Sequence, residues 1–505
     1  MANTHSQTTN SAQAIAAMSS YGTLGGSPEW RSLLPTAIDG VFPAIESATH
    51  DTIDPSNQYE AGSVVGLTCD PKLTAGFTAE LADVLIPAAL RTQWTGPTSL
   101  RTTATRPTSS TSAHYVVPTL GAALAAQTLV YVAGASTASN NGVKVVSGSP
   151  STTTVPTTPA PTAETFTAAN NVTLEVCGFQ FSSGDATITV SGSTITFGTT
   201  TKDLTGLGLV AGQSVYIGDS SAAAYSFATA ASNGPARVVS IAAHAMVLEM
   251  MHTAATTDAG TSKTIRLFFG QTCRAVPRTS SDYLESWFQT ETTVENLGSA
   301  DAEAYIYTEN SAVNTLTIAA PSAALVTMTA DLMASDGTET ETRRTNASTP
   351  TVAKRTIAYN TTTDISGRVF LSSAGTAATG VITAANFIIE NQANRVPAHG
   401  TLGAAAIVFG KIRVRVELEV FLTESAIIGA GRNNTEIKAN WWLRNAECAY
   451  AFDIPSARIS AMTGNWAKGD VVKLSTTILA NKDATYSTSM IVSKVPGCPA
   501  LPARS

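Results

Sequence analysis

Charged and apolar side chains alternate along one stretch of the sequence, KIRVRVELEV at residues 411–420. A period of two places successive side chains on opposite faces of a β-strand. The stretch therefore predicts a strand with one apolar and one charged face, and residues 423–425 (TES) are typical of a helix start directly after it. The charged residues could act by electrostatic attraction and hydrogen bonding, and they are Lys411, Arg413, Arg415, Glu417 and Glu419.

Catalytic and metal-binding patterns are not found in the sequence. The six histidines are scattered, and His244 and His252 lie eight residues apart in a strand-rich stretch, a spacing that fits no helical metal signature. The sequence contains no GxSxG motif, no P-loop and no GxGxxG followed by an acidic residue. We therefore expect a protein that is not an enzyme and that binds no metal and no cofactor.

Charge is scarce in this chain of 505 residues, of which 13% are charged, about half the usual share. The net charge of −7, with no block of basic residues, argues against high-affinity binding of nucleic acid. Loose enclosure of a polyanion stays possible. A polar surface with few charges suits packing against copies of the same chain, because the cores of interfaces are depleted in charge.

The five cysteines are widely spaced and form no CxxC pair, so we expect most of them to be buried free thiols rather than members of disulfides or a zinc site. The first residues have neither a basic nor an apolar signal region, and no apolar run approaches the roughly 18 residues of a membrane helix. These features predict a protein made in a reducing cytoplasm, with no membrane partner.

A second strand followed by a helix is predicted nearer the start of the chain. Apolar residues alternate over 73–81, and residues 84–90 form a short apolar segment in which Pro87 would occupy the first helical turn, where proline is tolerated. Trp94 follows this pair of elements, as Trp441 and Trp442 follow the strand and helix at 411–430.

Residues 304–334 and 449–480 also correspond to each other. Both stretches begin Ala-Tyr-x-aromatic, continue through Ser-Ala into an alternating strand, and end in a second alternating strand. Chance similarity between low-complexity β sequences is one explanation. Two correspondences in the same order favour internal duplication of one β unit.

The duplication and the composition predict four regions. Trp30 lies in a mainly polar beginning and is expected to dock, and residues 150–162 (PSTTTVPTTPAPT) are typical of an extended linker. Short strands separated by turns at 165–269 predict a small sandwich or barrel. The predicted regions are an N-terminal arm at 1–54, a first β domain split between 55–115 and 270–345, a linker with an inserted small β-domain at 116–269, and a second β domain at 355–505.

Several longer stretches carry a family resemblance that lies in their order rather than in a short signature. They are residues 76–94 (GFTAELADVLIPAALRTQW), 204–219, 231–249, 282–294 (DYLESWFQTETTV) and 385–424. In this order they resemble the tail tube, or major tail, proteins of bacteriophages with long non-contractile tails, in the subfamily that fuses two tube domains in one chain. The resemblance covers about residues 60–505.

The resemblance implies a mainly β protein with two tandem tail-tube sheet or sandwich domains, each with a short helix, and an inserted small β module. It implies a structural virion protein whose sheets join edge to edge into a closed barrel, with three chains forming a pseudo-sixfold ring. Stacked rings would conduct DNA from the capsid to the host. The charged face of 411–420 would then line the lumen, although the same charges could instead form cross-strand pairs.

The implied location is the phage tail, assembled in the host cytoplasm. The implied partners are further copies of the chain, the tape measure, tail terminator and distal tail proteins, and genomic DNA in transit. A capsid decoration protein or a tail fibre is the alternative, because these are also β-rich, duplicated and non-enzymatic. A cell-surface adhesin would need a secretion signal, which the sequence does not display.

Overall fold

The computed structural model describes residues 11–25, 28–48, 63–100, 106–167, 172–251, 254–295, 303–344, 357–362, 364–370, 381–421, 426–465 and 473–501. The chain is mainly β, as the sequence predicts. Two α-helices lie in the described residues, α1 at Ala79–Leu90 and α2 at Ala426–Arg432.

The strands are numbered in chain order. Strands β1 to β12 are Ser11–Ala17, Trp30–Ser32, Ala37–Asp39, Ala44–Ala48, Ser63–Thr68, Lys72–Gly76, Ser99–Leu100, Ser109–Ser110, His114–Val116, Thr128–Ala133, Gly142–Val146 and Thr154–Thr158. Strands β13 to β23 are Glu164–Thr165, Thr173–Gln180, Thr187–Ser191, Thr194–Gly198, Ser214–Ile217, Gly234–Ala242, Ala245–Met250, Arg266–Phe268, Thr272–Arg274, Phe288–Val294 and Ala304–Ala320. Strands β24 to β34 are Thr327–Met333, Asp336–Thr340, Ile365–Phe370, Val381–Glu390, Asn394–Val396, Ala406–Val408, Arg413–Phe421, Ile437–Arg444, Cys448–Asn465, Lys473–Ala480 and Ile491–Pro496.

A sheet of 16 strands, which we call the core sheet, contains two copies of one strand arrangement. In the first unit the spatial order is β1–β22–β23–β24–β6–β3, and in the second it is β26–β31–β32–β33–β30–β27. The two orders are identical when the strands of each unit are numbered along the chain. Strands β25 and β34 extend the correspondence, because each pairs with the first half of the long strand of its unit. The strand order thus agrees with the sequence similarity between 304–334 and 449–480.

One hydrophobic core serves both units. It takes apolar side chains from α1, from the long strands β23 and β32, and from β30. The alternation in β30 has the predicted result, because Val414, Val416, Leu418 and Val420 are buried. Strand β30 is followed by α2, also as predicted, although residues 422–425 lie outside the described residues.

Helix α1 begins earlier than the sequence analysis expects. Thr78 caps it by accepting a hydrogen bond on Oγ1 from the Leu81 N–H (3.4 Å), so the predicted strand to residue 81 is wrong beyond Gly76. The apolar alternation continues into the helix because Ala79 and Leu81 both fall on its buried surface.

Pro87 lies in the later part of α1 rather than in its first turn, which corrects the sequence prediction. Proline has no N–H to donate to the carbonyl four residues earlier. In this helix that carbonyl, on Asp83, accepts a hydrogen bond from Trp94 Nε1 at 3.0 Å. The indole therefore replaces the missing backbone donor and ties the chain after the helix to the helix itself.

A second sheet of 14 strands runs from β7 to β20, and we call this part of the chain the module. It contains two hydrophobic clusters, one between Leu100 and Val176 and one between Phe179 and Phe269. The predicted linker at 150–162 is wrong, because β12 lies within it and pairs with β9 and β11. Threonine favours strands, and the prolines mask that preference in the sequence pattern.

The N-terminal region is more than an arm. Strand β1 pairs along its length with β22, and β3 pairs with β6, so residues 11–39 supply two strands of the first unit. Trp30 docks as predicted and is 1% exposed, packing edge-on against Tyr307. The prediction of a separate arm at 1–54 is therefore wrong for these strands.

Candidate self-association edge

In the described residues, strands β23 and β27 pair with each other and so join the first unit to the second. Residues 315–320 of β23, in the first unit, pair antiparallel with residues 385–390 of β27, in the second unit. Asn391 strengthens the junction, donating from its backbone N–H to the Asn314 carbonyl (2.7 Å) and from Nδ2 to the Val313 carbonyl (2.8 Å). Leu316 and Ile318 in this half of β23 are fully buried in the shared hydrophobic core.

A hairpin of the second unit, formed by β28 and β29, covers the first unit next to this junction. Ile407 is 5% exposed and packs in a cluster with Trp287 and Ala312. Arg395 donates to both carboxylate oxygens of Asp70 (2.5 and 3.2 Å) and to the backbone carbonyl oxygens of Cys69 (2.7 Å) and Ala334 (3.1 Å). Apolar packing and a charge-assisted clamp therefore reinforce the pairing of β23 with β27.

The equivalent half of β32, in the second unit, has an open edge. Residues 458–465 pair with β33 on one side, and in the part of the chain that the structure describes no other strand pairs with them. Ser460, Ala461 and Thr463 are exposed, while Ile459 and Met462 are half-buried against the margin of the core. An unpaired strand edge offers backbone N–H and C=O groups to another chain.

The beginning of the first unit is also uncovered. Strand β3 pairs with β6 on one side only among the described strands. The hairpin of β4 and β5, which follows β3 as the hairpin of β28 and β29 follows β27, is largely exposed. Its neighbourhood displays apolar side chains to solvent: Phe42 is 55% exposed, Ile45 65%, Val64 46% and Val65 55%. Among the described strands, the pair of units thus has one unpaired strand edge at β3 and another at the second half of β32.

The residues predicted to face a lumen lie where the alternation places them, with one exception. Arg413, Arg415, Glu417 and Glu419 are on the partly exposed face of β30, and Lys411 is exposed just before the strand begins. Whether this face lines a channel stays a prediction.

Opposite charges on this face are paired, and the sequence analysis left that alternative open. Arg415 contacts Glu390 of β27 and Glu417 of its own strand, both at 3.1 Å. Glu419 contacts Lys473 of β33 at 3.0 Å, and Arg413 lies 3.8 Å from Glu390. The face is therefore polar and wet with its charges largely compensated, which favours neither tight binding nor strong repulsion of a polyanion.

Two buried charge clusters that the sequence analysis missed hold the module against the core sheet. Arg237 of β18 donates to both oxygens of Asp453 of β32 (2.7 and 2.6 Å), and the side chains of these residues are 1% and 0% exposed. Lys494 of β34 donates to Glu175 of β14 (2.5 Å) and to Asp83 of α1 (3.1 Å). Isolated charges in apolar strands, such as Arg237 within PARVVSI, are the sequence signal that points to such pairs.

The thiols are unsuited to chemistry. All five cysteines are buried and free, as predicted. Burial raises the pKa of Cys69 to about 11 and that of Cys273 well above its usual range, so both stay protonated and weakly nucleophilic at neutral pH. No group of three or more metal-ligating side chains converges within the described residues.

Comparison with known proteins does not narrow the assignment: the sequence matches no protein-family model and no curated protein. Neither helix among the described residues is long and apolar enough to cross a membrane.

Proposed function

We propose that the chain is a structural subunit that polymerises with copies of itself into the tail tube of a bacteriophage with a long non-contractile tail. The tube would conduct DNA from the capsid to the host cell. Three chains, each with two units, would form a ring of six units, and rings would stack. The tape measure, tail terminator and distal tail proteins would then be its partners in the virion.

One observation carries this proposal, namely that β23 is paired and buried in its second half whereas the equivalent half of β32 is open. The chain contains two identical strand arrangements and makes one junction between them internally. Among the described strands the matching edges, at β3 and at the second half of β32, are unpaired. Such a chain can repeat the junction with another copy. Repetition of a head-to-tail contact gives a closed ring when the rotation closes. Closure removes the free edges that would otherwise promote aggregation.

The two faces of the sheet favour a wide barrel with an aqueous channel over a narrow barrel whose interior is packed with side chains. Strand β30 has a buried apolar face toward the core and a partly exposed face of charged residues. A large barrel with an aqueous channel needs polar side chains on its inner face and apolar packing behind them. The compensated charges on β30 suit DNA in transit, because a strongly basic wall would retain it.

Negative-stain electron microscopy of the purified chain, concentrated alone, tests the proposal. We expect hollow tubes of uniform width whose end-on views show a central hole and threefold features. Discrete trimers at every concentration would instead favour a capsid decoration or tail-fibre protein. Monomers at every concentration, in the presence of preformed tail tips as well, would overturn the proposal.

A further inference from the structure

The repeated strand order allows positions in the two units to be matched residue by residue. Both long strands carry a register shift, between Val313 and Thr315 in β23 and between Ile459 and Ala461 in β32. Thr315 is the first paired residue after one shift and Ala461 the first after the other. Counting along the strands then matches Leu316 with Met462.

The same ladder matches the strands on the far side of each unit. From Thr315 it continues through Asp331 and Lys72 to Asp39. From Ala461 it continues through Thr477 and Glu417 to Asn386. Asp39 therefore occupies the place of Asn386. Counting on from Asp39, residues 40–43 correspond to 387–390 and Phe42 to Ile389, although residues 40–43 lie beyond the end of β3 and Gly40 has a positive φ of 65°.

The matched pairs differ in burial. Within the chain, Ile389 lies opposite Leu316, and the two side chains are 1% and 0% exposed. Among the described residues neither counterpart has a paired strand opposite it. Phe42 is 55% exposed, and Met462 is half-buried at the open edge of β32, where its side chain lies close to Gly431 of α2. An apolar residue is thus present at each of the two positions that would form the next junction, and in the described residues no strand lies opposite either of them.

From this correspondence we propose that residues 39–43 of one copy pair antiparallel with residues 461–465 of a second copy, with Phe42 opposite Met462. The hairpin of β4 and β5 then packs over the second unit of that copy, as the hairpin of β28 and β29 packs over the first unit within the chain. This inference rests on the proposed self-assembly and names the surfaces that make it.

The charges and side-chain types of the two segments are consistent with a second copy of the chain at this edge. The charged residues in 36–48 are Asp39 and Glu46, both acidic, and the charged residue in 454–465 is Arg458. A phenylalanine opposite a methionine forms a favourable sulfur–aromatic pair. A two-stranded hairpin is marginally stable alone in water, so the exposed hairpin of β4 and β5 gains stability from a surface to lie on.

The test is cross-linking of the full-length double variant Phe42→Cys, Met462→Cys with a short bis-maleimide, after assembly at high concentration. Side chains directly opposite in neighbouring strands have Cβ atoms about 5 Å apart, within reach of the reagent. We expect covalent products of two and three chains and none larger, because three chains close the proposed ring. The parent chain is the first control, since its five cysteines are buried.

The second control shifts the register by one residue. In Phe42→Cys, Thr463→Cys the second thiol lies on the opposite face of its strand, and we expect at least about tenfold less cross-linked product. The same samples are imaged by electron microscopy. Cross-linking then tests the contact between residues 42 and 462, and microscopy separately tests tube formation. Tubes without cross-links between positions 42 and 462 would overturn this inference and leave the proposed function standing. Cross-linked pairs that never exceed two chains would support the contact and overturn the tube.

Discussion

Two groups of charged side chains in this chain both pair an arginine with a carboxylate, and they differ in exposure. Arg237 and Asp453, between module and core sheet, have side chains 1% and 0% exposed, whereas Arg415 and Glu417 on the wet face of β30 are 32% and 39% exposed. A buried pair that loses one partner leaves a charge away from water, but an exposed partner is rehydrated. The buried pairs therefore fix the position of the module, and the exposed pairs set the character of a surface.

Removal of the Asp453 carboxylate gives the largest expected effect. Asp453 accepts both hydrogen bonds of the Arg237 fork and one from Asn440 Nδ2 (3.0 Å). In Asp453→Ala the guanidinium stays buried with Glu249 as its remaining acidic contact at 2.9 Å. We expect the free energy of unfolding to fall by about 3–5 kcal/mol, measured by urea titration.

The double variant Arg237→Met, Asp453→Leu is the matched control for that change. It removes both charges and fills the site with apolar atoms, so it should recover most of the lost stability. A loss of less than about 1 kcal/mol in Asp453→Ala would mean that this interface is wetter than the structure indicates.

Replacement of Lys494 tests whether the second buried cluster also loses stability when one charged partner is removed. Its ammonium links strand β34 to a carboxylate of the module and to one of α1, and the side chains of Lys494, Glu175 and Asp83 are 1%, 2% and 6% exposed. Lys494→Met brings two buried carboxylates together without the cation between them. We expect a loss of about 3 kcal/mol in urea unfolding. Lys482→Met, at an exposed position, should change stability by less than about 0.5 kcal/mol.

Asp185 should have an intermediate effect on stability, because its carboxylate is buried but is stabilised by uncharged hydrogen-bond donors. Burial would raise its pKa, but hydrogen bonds from the backbone and side chains of Thr200 and Thr201, at 2.7 to 2.9 Å, hold the pKa below the usual 3.8. A lowered pKa in the folded state gives stability that is present above the unfolded pKa and is lost as pH falls through the folded one.

For Asp185→Asn we therefore expect a loss of about 1–2 kcal/mol at pH 7 in urea unfolding followed by circular dichroism. The difference between the parent chain and the variant should shrink as the pH is lowered below 3.8. A difference that stays constant from pH 7 to strongly acidic pH would show that the carboxylate charge is not what the threonines stabilise.

How far the sequence predicts this molecule depends on whether a feature is local. The alternation of β30 and the helix after it depend on neighbouring residues, and both were predicted. The similarity between 304–334 and 449–480 predicted a duplication, and the two strand orders agree with it. The burial of Trp30 also followed from its apolar character in a polar stretch.

The missed features depend on distant residues. Pro87 is accommodated late in α1 because Trp94 donates to the freed Asp83 carbonyl, which no local pattern indicates. The strand within 150–162 forms because β9 and β11 lie on either side of it. The partners of Arg237 and Lys494 are more than 200 residues away in one case and more than 300 in the other, and the open edge of β32 becomes visible only beside the covered edge of β23.

The smallest expected effect on stability comes from Glu417→Lys, Glu419→Lys on the exposed face. These changes replace contacts of Glu417 with Arg415 and of Glu419 with Lys473 by like-charge pairs, yet all four side chains are 32–39% exposed. We expect a loss below about 1 kcal/mol in urea unfolding and normal tail length.

If this face lines the channel, the added positive charge should retain DNA and slow its passage, measured by ejection kinetics and infectivity at low salt. Glu303→Lys, Glu339→Lys, at two exposed positions outside β30, is the matched control and should leave ejection unchanged. Unaltered ejection in the β30 variant would contradict the assignment of the charged face of β30 to a lumen. Uncompensated positive charge on a channel wall would slow the DNA, so it can have no effect only where no DNA passes. The assignment withdrawn would be that of Lys411, Arg413, Arg415, Glu417 and Glu419.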